Sequence, residues 1–158
     1  MNGIVSTAAR KRLSLREILP AESVFLGAAP KNREEALWGL SVLARRGGGV
    51  ENARELFEAL QERDALGPTG MGEGVAIPHA RTSAVNRPLM AAMTAPGGVE
   101  YPSVDGRPVV LFFMIATPED SGGMYMDLLA GLSSRLLSPG LVEGLLLSKS
   151  TSEFCGLL

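Results

Sequence analysis

Apolar side chains recur at helical spacing in two segments of the first half of the chain. The clearest helix is predicted over residues 33–46, with Asn32 as its N-cap and the glycines 47–49 directly after its end. A second helix is predicted to follow Asn52 and to end before the Gly67-Pro68 pair, which prevents its continuation. In both segments the apolar residues return every three or four positions, so each helix is expected to bury one face.

In the middle of the chain the pattern changes to short, mostly apolar runs that are typical of strands. Strands are predicted over residues 75–77, 89–95 and 109–115, and the last of these is an unbroken apolar run that suits a central position in a sheet. Turns are predicted at Pro96-Gly97-Gly98 and at residues 104–108, which contain an Asp-Gly pair. Because the strands are short and close together, we expect some neighbours to pair antiparallel.

Helical spacing returns in the last third of the chain. Helices are predicted over residues 124–137, 141–147 and 151–158. The methionines Met124 and Met126 are interpreted as core-filling side chains of the first of these helices.

The beginning of the chain differs from the rest. Residues 1–12 have few periodic apolar positions and end in the basic triplet Arg10-Lys11-Arg12, so they are predicted to be a flexible leader. A short helix over residues 13–19 and a short strand over residues 23–26 follow. With no internal repeat or linker, residues 13–158 are predicted to form one domain.

Composition argues against several classes of function. The chain has 158 residues, 46% of them hydrophobic, and a net charge of −2, so the basic field of a nucleic-acid-binding protein is missing. One cysteine, Cys155, and one histidine exclude an internal disulfide and leave no plausible zinc ligand set, and Cys155 is interpreted as a small buried residue. Without a long apolar run or an apolar signal segment, we expect a cytoplasmic protein with no direct membrane insertion.

The only histidine, His79, is the first candidate for chemistry. A neutral imidazole has a lone pair that can attack an electrophile or accept a proton, although a single histidine is also common as a packed structural residue. It follows a run in which Gly70, Gly72 and Gly74 would let backbone N–H groups approach an anion and Thr69 would add a hydroxyl donor. The same glycines are equally compatible with a tight turn leading into a strand.

Arg63, at the end of the second predicted helix, is the other candidate. Its guanidinium could hold a phosphoryl group through paired hydrogen bonds, or it could be a solvated cation favoured by the helix dipole. Spacing alone does not decide between these roles. An unrelated hydrolase that uses His79 as a base is a poor alternative, because no serine or cysteine nucleophile motif accompanies the histidine.

Several segments resemble one known family. Residues 62–64, the block 69–81 that ends Ile77-Pro78-His79-Ala80-Arg81, residues 104–109 and residues 127–130 look like the enzyme IIA component of the bacterial phosphotransferase system, fructose/mannitol type, which includes the nitrogen-regulatory form. The resemblance covers nearly all of the chain after residue 12, and its Pro-His block with the upstream arginine is the most specific part.

This resemblance implies an α/β fold in which a mixed parallel and antiparallel sheet is flanked by helices on both sides. It also implies a phosphocarrier that needs no cofactor and no metal: the histidine matching His79 takes a phosphoryl group from the small histidine phosphocarrier protein and passes it to a IIB domain or partner. The arginine matching Arg63 helps to hold the group, and we assign Thr69 to phosphate binding as well.

One position departs from the family pattern. Where the family usually has a second histidine, before a Leu-x-Leu-Leu-Ala-type helix segment, this chain has Tyr125. A tyrosine hydroxyl can donate a hydrogen bond but cannot become a cation at neutral pH. The alternative function is therefore a regulatory protein-binding module of the same fold with weak or no phosphotransfer. The sequence does not distinguish a sugar-transport role from a nitrogen-regulatory one.

Overall fold

The computed structural model describes residues 13–158; the predicted leader, residues 1–12, lies outside the described residues. Within 13–158 the backbone forms one mixed sheet and six α-helices. The strands are β1 (Val24–Phe25), β2 (Gly70–Gly72), β3 (Val75–Ala76), β4 (His79–Arg81), β5 (Leu89–Val99) and β6 (Val109–Thr117). The helices are α1 (Leu15–Ile18), α2 (Arg33–Arg46), α3 (Ala53–Asp64), α4 (Met124–Leu136), α5 (Leu141–Leu147) and α6 (Thr151–Gly156), and a single 3-10 turn spans Ala21–Ser23.

The strand β6 is the centre of the sheet. The order is β1-β5-β6-β3-β2, and β4 also pairs with β6. The β5/β6 and β2/β3 pairs are antiparallel, whereas β1 runs parallel to β5, and β3 and β4 run parallel to β6. The predictions of a central apolar strand at 109–115 and of antiparallel neighbours are confirmed.

The strands β3 and β4 lie end to end along one edge of β6. Val75 pairs with Leu111 near the start of β6, and His79 pairs with Ile115 near its end. Between the two strands the amide of Ile77 turns away to donate to the carbonyl of Thr69. Pro78 has no N–H to give to the ladder, so the interruption falls where the sequence removes a donor.

Helices cover both faces of the sheet, as predicted. Because side chains of a strand alternate between faces, β6 contributes Phe112 and Met114 to the core under α2 and α3, and Phe113 and Ile115 to the core under α1, α4, α5 and α6. All four side chains are fully buried. The sheet is thus the middle layer between two hydrophobic cores.

The capping residues account for the ends of the long helices. Asn32 accepts a hydrogen bond from the amide of Glu35 at the start of α2, and Asn52 accepts one from the amide of Arg54 at the start of α3. The bounds of α2 agree with the predicted 33–46, and Gly48, with φ of 87°, is among the residues that follow its end.

Two predictions about local structure were wrong. Residues Pro96-Gly97-Gly98 do not form a turn; they belong to β5, where the pairing with β6 shifts register between Thr94 and Val99. Such a bulge accommodates a proline and a glycine with positive φ inside a strand, and Gly98 has φ of 76°.

The side chain of Met126 does not fill the core as predicted, because 62% of the residue is exposed. Met124 is partly buried against the core, and Cys155, expected to be buried, is half-buried.

Candidate functional site

His79 is the first residue of β4, at the point where the edge strand resumes after Pro78. Its Nδ1 lies 2.6 Å from the carbonyl oxygen of Ile77. A carbonyl only accepts hydrogen bonds, so Nδ1 carries the proton and Nε2 carries the lone pair of the neutral ring. The residue is partly exposed. The ring is therefore held in one tautomer by the main chain, with Nε2 as its nucleophilic atom.

The surroundings of His79 favour the neutral imidazole. Burial of the ring is the largest influence and lowers the pKa of His79 below its ordinary value of 6.5. The bond to Ile77 raises that pKa, the positive charge of Arg63 lowers it, and the charge of Asp64 raises it. Because the net direction is down, the ring is mostly uncharged at pH 7 and its lone pair is available.

Arg63 lies in the last turn of α3, and the structure brings it to His79. The α3 helix packs against β4, and the guanidinium is close enough to act on the pKa values of both His79 and Tyr125. Its Nη1 lies 3.4 Å from the carbonyl oxygen of Gly67 in the chain that leaves the helix. No ion pair between described residues includes this arginine, so its charge is not neutralised by a carboxylate.

Tyr125 closes the site from the side of α4. Its ring centroid lies 5.6 Å from that of His79, with a tilt of 53° between the planes. The guanidinium carbon of Arg81 lies 5.2 Å from the centroid of the same tyrosine ring. Tyr125, at the position where the resemblance implies a second histidine, is therefore next to His79. A second arginine, Arg81, which the sequence analysis did not single out, also lies at the site.

A buried carboxylate holds the end of α3 in place. Asp64 Oδ1 accepts hydrogen bonds from the hydroxyls of Thr69 (2.8 Å) and Tyr101 (2.9 Å). Arg33 Nη1 lies 3.1 Å from Asp64 Oδ2 and forms an ion pair with it. Desolvation by burial is the main reason that the pKa of Tyr101 lies above its ordinary value of 10.0. Since Asp64 follows Arg63 directly, these contacts fix the helix turn that carries the arginine.

This network also involves the predicted phosphate-binding residue. The hydroxyl of Thr69 lies 2.8 Å from Asp64 and 2.7 Å from Tyr101, and the residue is only 6% exposed. The assignment of Thr69 to phosphate binding stays a prediction. The contacts that its hydroxyl makes in the structure support the position of Arg63 instead.

The glycine run before His79 forms a tight turn. Glu73 and Gly74 join β2 to β3 with φ values of 54° and 81°, a conformation that glycine adopts readily and glutamate rarely. At Gly70 a Cβ would lie 2.5 Å from the carbonyl oxygen of Pro102, so only glycine lets the two backbones approach.

This turn lies far from the imidazole. Gly74 accepts a bond from Val110 at the start of β6, whereas His79 pairs with Ile115. Ile115 lies five positions after Val110 along the strand, which corresponds to roughly 16 Å. The turn interpretation therefore holds for Glu73 and Gly74, which lie too far from His79 to form a phosphate cradle around it.

No group of three or more histidine, cysteine or acidic side chains within residues 13–158 is arranged to hold a metal ion. No helix within 13–158 is long and apolar enough to cross a membrane. A cavity of about 720 Å³ lies between residues 13–15 and the start of α4, and His79, Arg63 and Tyr125 are not among its lining residues.

Comparison with known proteins identifies the class to which this fold and site belong. Residues 17–158 match the family described as "Phosphoenolpyruvate-dependent sugar phosphotransferase system, EIIA 2". The chain belongs to this EIIA family, which confirms the resemblance read from the motifs.

The relatives include both sugar-specific and regulatory proteins. The fructose-specific EIIA component of Haloferax volcanii is 35% identical over 84% of this chain and 86% of its own length. A nitrogen regulatory protein of Pseudomonas aeruginosa is 30% identical over 78% of this chain and 80% of its own. In the fructose-specific EIIABC component of Bacillus subtilis, which is 31% identical, the chain spans 22% of the relative's length.

Solved structures agree with the fold. The nitrogen regulatory protein IIA-Ntr of Neisseria meningitidis superposes with a TM-score of 0.83 over 90% of this chain and 97% of that one, at 29% identity. The mannitol IIA enzyme of Escherichia coli, in its complex with phosphorylated IIB, superposes with a TM-score of 0.73 over 87% and 94%, at 26% identity. The predicted mixed sheet with helices on both sides is confirmed.

Proposed function

We propose that this chain is a phosphocarrier that takes a phosphoryl group onto Nε2 of His79 from a histidine phosphocarrier protein in the cytoplasm. It then passes the group to a IIB partner or uses it as a regulatory signal. The observation that carries the proposal is the bond between Nδ1 of His79 and the Ile77 carbonyl, which leaves Nε2 as the nucleophilic nitrogen of a partly exposed residue. The charge of Arg63, which forms no ion pair within residues 13–158, acts on the same ring.

The proposed step needs no acid or base from this chain. The lone pair on Nε2 forms the new N–P bond while the bond between phosphorus and the donor's imidazole breaks, and its electron pair returns to the donor ring. The proton on Nδ1 stays in its bond to Ile77 throughout. Transfer of this kind depends on positioning and on cations that stabilise the negative charge of the phosphoryl oxygens, which is the role given to Arg63.

Exposed apolar side chains close in sequence to the site residues support a protein as the donor. Leu66, just beyond the α3 turn that carries Arg63, is 84% exposed, and Met126, beside Tyr125, is 62% exposed. Such side chains can be buried by a docking protein, which a small phosphate compound would not do. A IIB partner is supported by the complex that the mannitol relative forms with phosphorylated IIB.

The test is phosphorylation by the general phosphotransfer proteins and phosphoenolpyruvate. We expect the native chain to gain an acid-labile phosphate on the Nε2 position of its single histidine, and His79→Ala to gain none. Circular dichroism of His79→Ala checks that the fold is kept. A native chain that stays unphosphorylated, or a phosphate on Nδ1, would contradict the proposal.

Tyr125 gives a specific reason to keep the second function, a regulatory binding module with weak or no phosphotransfer. It is next to His79 but cannot supply the charge that a second histidine could. Capture of a protein partner with equal affinity by the native chain and by His79→Ala, together with no transfer to either, would favour this module over the phosphocarrier.

A further inference from the structure

Arg81 and His79 share one side of the sheet. His79 is the first residue of β4 and Arg81 is the last. Ala80, between them, is buried in the core under α2 and α3. Because successive side chains of a strand point to opposite faces, both His79 and Arg81 face the α4 side. Tyr125, in the first turn of α4, is the residue that both approach.

The exposed side chain of Arg81 places its guanidinium against the tyrosine ring. Tyr125 is only 8% exposed, and the Arg81 guanidinium carbon lies 5.2 Å from its ring centroid, within the range of a cation–π contact. Among the ion pairs of residues 13–158, none includes Arg81. The guanidinium therefore lies against an aromatic ring, and no carboxylate within residues 13–158 pairs with its charge.

The charge of the incoming group exceeds what one arginine can balance. A phosphoryl group carries about −1.5 to −2 near pH 7. Arg63 supplies one positive charge, and the neutral Tyr125 supplies none. The charges of Arg63 and Arg81 both lower the pKa of Tyr125, against the larger effect of burial, so both cations act at the same ring.

We propose that Arg81 stabilises the transferred phosphoryl group directly: in contact with Tyr125, it provides the second positive charge beside the phosphoryl group on His79. This inference rests on the proposed phosphocarrier function and concerns the same site. It assigns to the Arg81–Tyr125 pair the charge that a second histidine at position 125 could carry alone.

The first test is a double-mutant cycle in the transfer reaction. We expect Arg81→Gln to lower kcat on the order of tenfold, with little change in KM for the donor protein, and Arg81→Lys to restore most of the rate. In a Tyr125→His background the same Arg81→Gln change should cost clearly less, because the histidine can supply a charge. Arg54→Gln, which removes an exposed arginine of α3, is the matched control and should have no effect.

The second test reads the charge at the phosphoryl group directly. In a phosphorus NMR titration of the phosphorylated chain, a nearby cation lowers the pKa of the phosphoryl oxygens, so Arg81→Gln should raise that pKa and Arg54→Gln should leave it unchanged. A change confined to KM, an equal loss in both Tyr125 backgrounds, or an unchanged phosphoryl pKa would overturn the inference.

Failure of this inference can be distinguished from failure of the proposed function. If the native chain is phosphorylated on His79 and Arg81→Gln behaves like Arg54→Gln, only the role of Arg81 is wrong. If the native chain takes no phosphoryl group at all, the proposed function and the role of Arg81 are overturned together.

Discussion

The β2–β3 turn (residues 70–76) and the His79 segment (residues 77–81) follow each other along one edge of β6, yet they are held in different ways. The turn depends on backbone geometry: Glu73 and Gly74 have positive φ, and Gly70 admits a close approach by Pro102. The His79 segment depends on side chains from other elements, above all Arg63 and Tyr125.

This difference separates stability from chemistry within twelve consecutive residues, 70–81. Changes in the turn should alter how firmly the sheet edge is held, whereas changes around His79 should alter a charge or a proton. If the two regions are as independent as their separation along β6 indicates, each variant will change either the free energy of unfolding or the rate of phosphorylation and leave the other unchanged.

The largest effect is expected from Arg63→Gln. Removal of a cation that stabilises the developing charge should slow phosphorylation of His79 by about 100-fold, while the free energy of unfolding changes little because the side chain is only partly buried. The measurement is the rate of phosphohistidine formation together with urea denaturation. A large loss of stability together with a normal phosphorylation rate in the folded protein would contradict the division between a stabilising turn and a chemical site.

The same variant should change the titration of His79. Since the charge of Arg63 lowers the pKa of His79, its removal should move that pKa upward toward 6.5. The chain has only one histidine, so a single imidazole signal reports the value by proton NMR. An unchanged pKa would mean that Arg63 lies too far away to act on the ring.

Gly70→Ala should lower the stability of the fold and leave the phosphorylation rate nearly unchanged. Its Cβ would lie 2.5 Å from the Pro102 carbonyl and 2.6 Å from Ser103 Cβ, so the backbone must shift. We expect a loss of about 2 kcal/mol in the free energy of unfolding, with a near-native rate of phosphorylation at temperatures where the protein is folded. Gly97→Ala, at a position with no neighbouring atom within 4 Å, is the control.

A smaller effect, a gain in stability, is expected from Glu73→Gly. Glutamate at a φ of 54° is strained, and glycine relieves that strain. The free energy of unfolding should rise by about 1 kcal/mol, offset in part by the greater freedom of glycine in the unfolded chain. Thermal and urea unfolding measure the change, and phosphorylation should be unaffected. Reduced stability would show that the Glu73 side chain has a role of its own.

The smallest effect concerns Asp105, which accepts hydrogen bonds at the same turn. Bonds from the amides of Glu73 and Arg107 and from the Ser103 hydroxyl lower its pKa from 3.8 to about 2. A carboxylate whose folded pKa is depressed stabilises the fold above its unfolded pKa, and this contribution is lost as pH falls toward 2. Asp105→Asn should therefore be less stable than the native chain at pH 6, and the difference should shrink on acidification.

The sequence was sufficient for elements whose ends are marked by local chemistry. The N-cap Asn32 and the glycines after Arg46 determine α2 without reference to the rest of the chain, and the apolar run of β6 indicates burial on both faces. The strands β2 and β4, with three residues each, were not predicted as strands because they are too short to show alternation.

The candidate site was predictable only in part. The Pro-His block identified His79, but spacing could not show whether Arg63 reaches it, since that depends on how α3 packs against β4. The strand period could have placed Arg81 beside His79 once β4 was known. No local signal indicates that Asp64 is buried with Thr69 and Tyr101, because those contacts join distant parts of the chain.

The bond from His79 Nδ1 to the carbonyl of Ile77 has one more consequence. Its acceptor is a main-chain atom, which every amino acid at position 77 would provide equally well. Point mutations can remove the side chains around the imidazole one at a time, but none at position 77 deletes the atom that selects the tautomer. The protonation pattern of the imidazole therefore does not depend on which side chain stands at position 77.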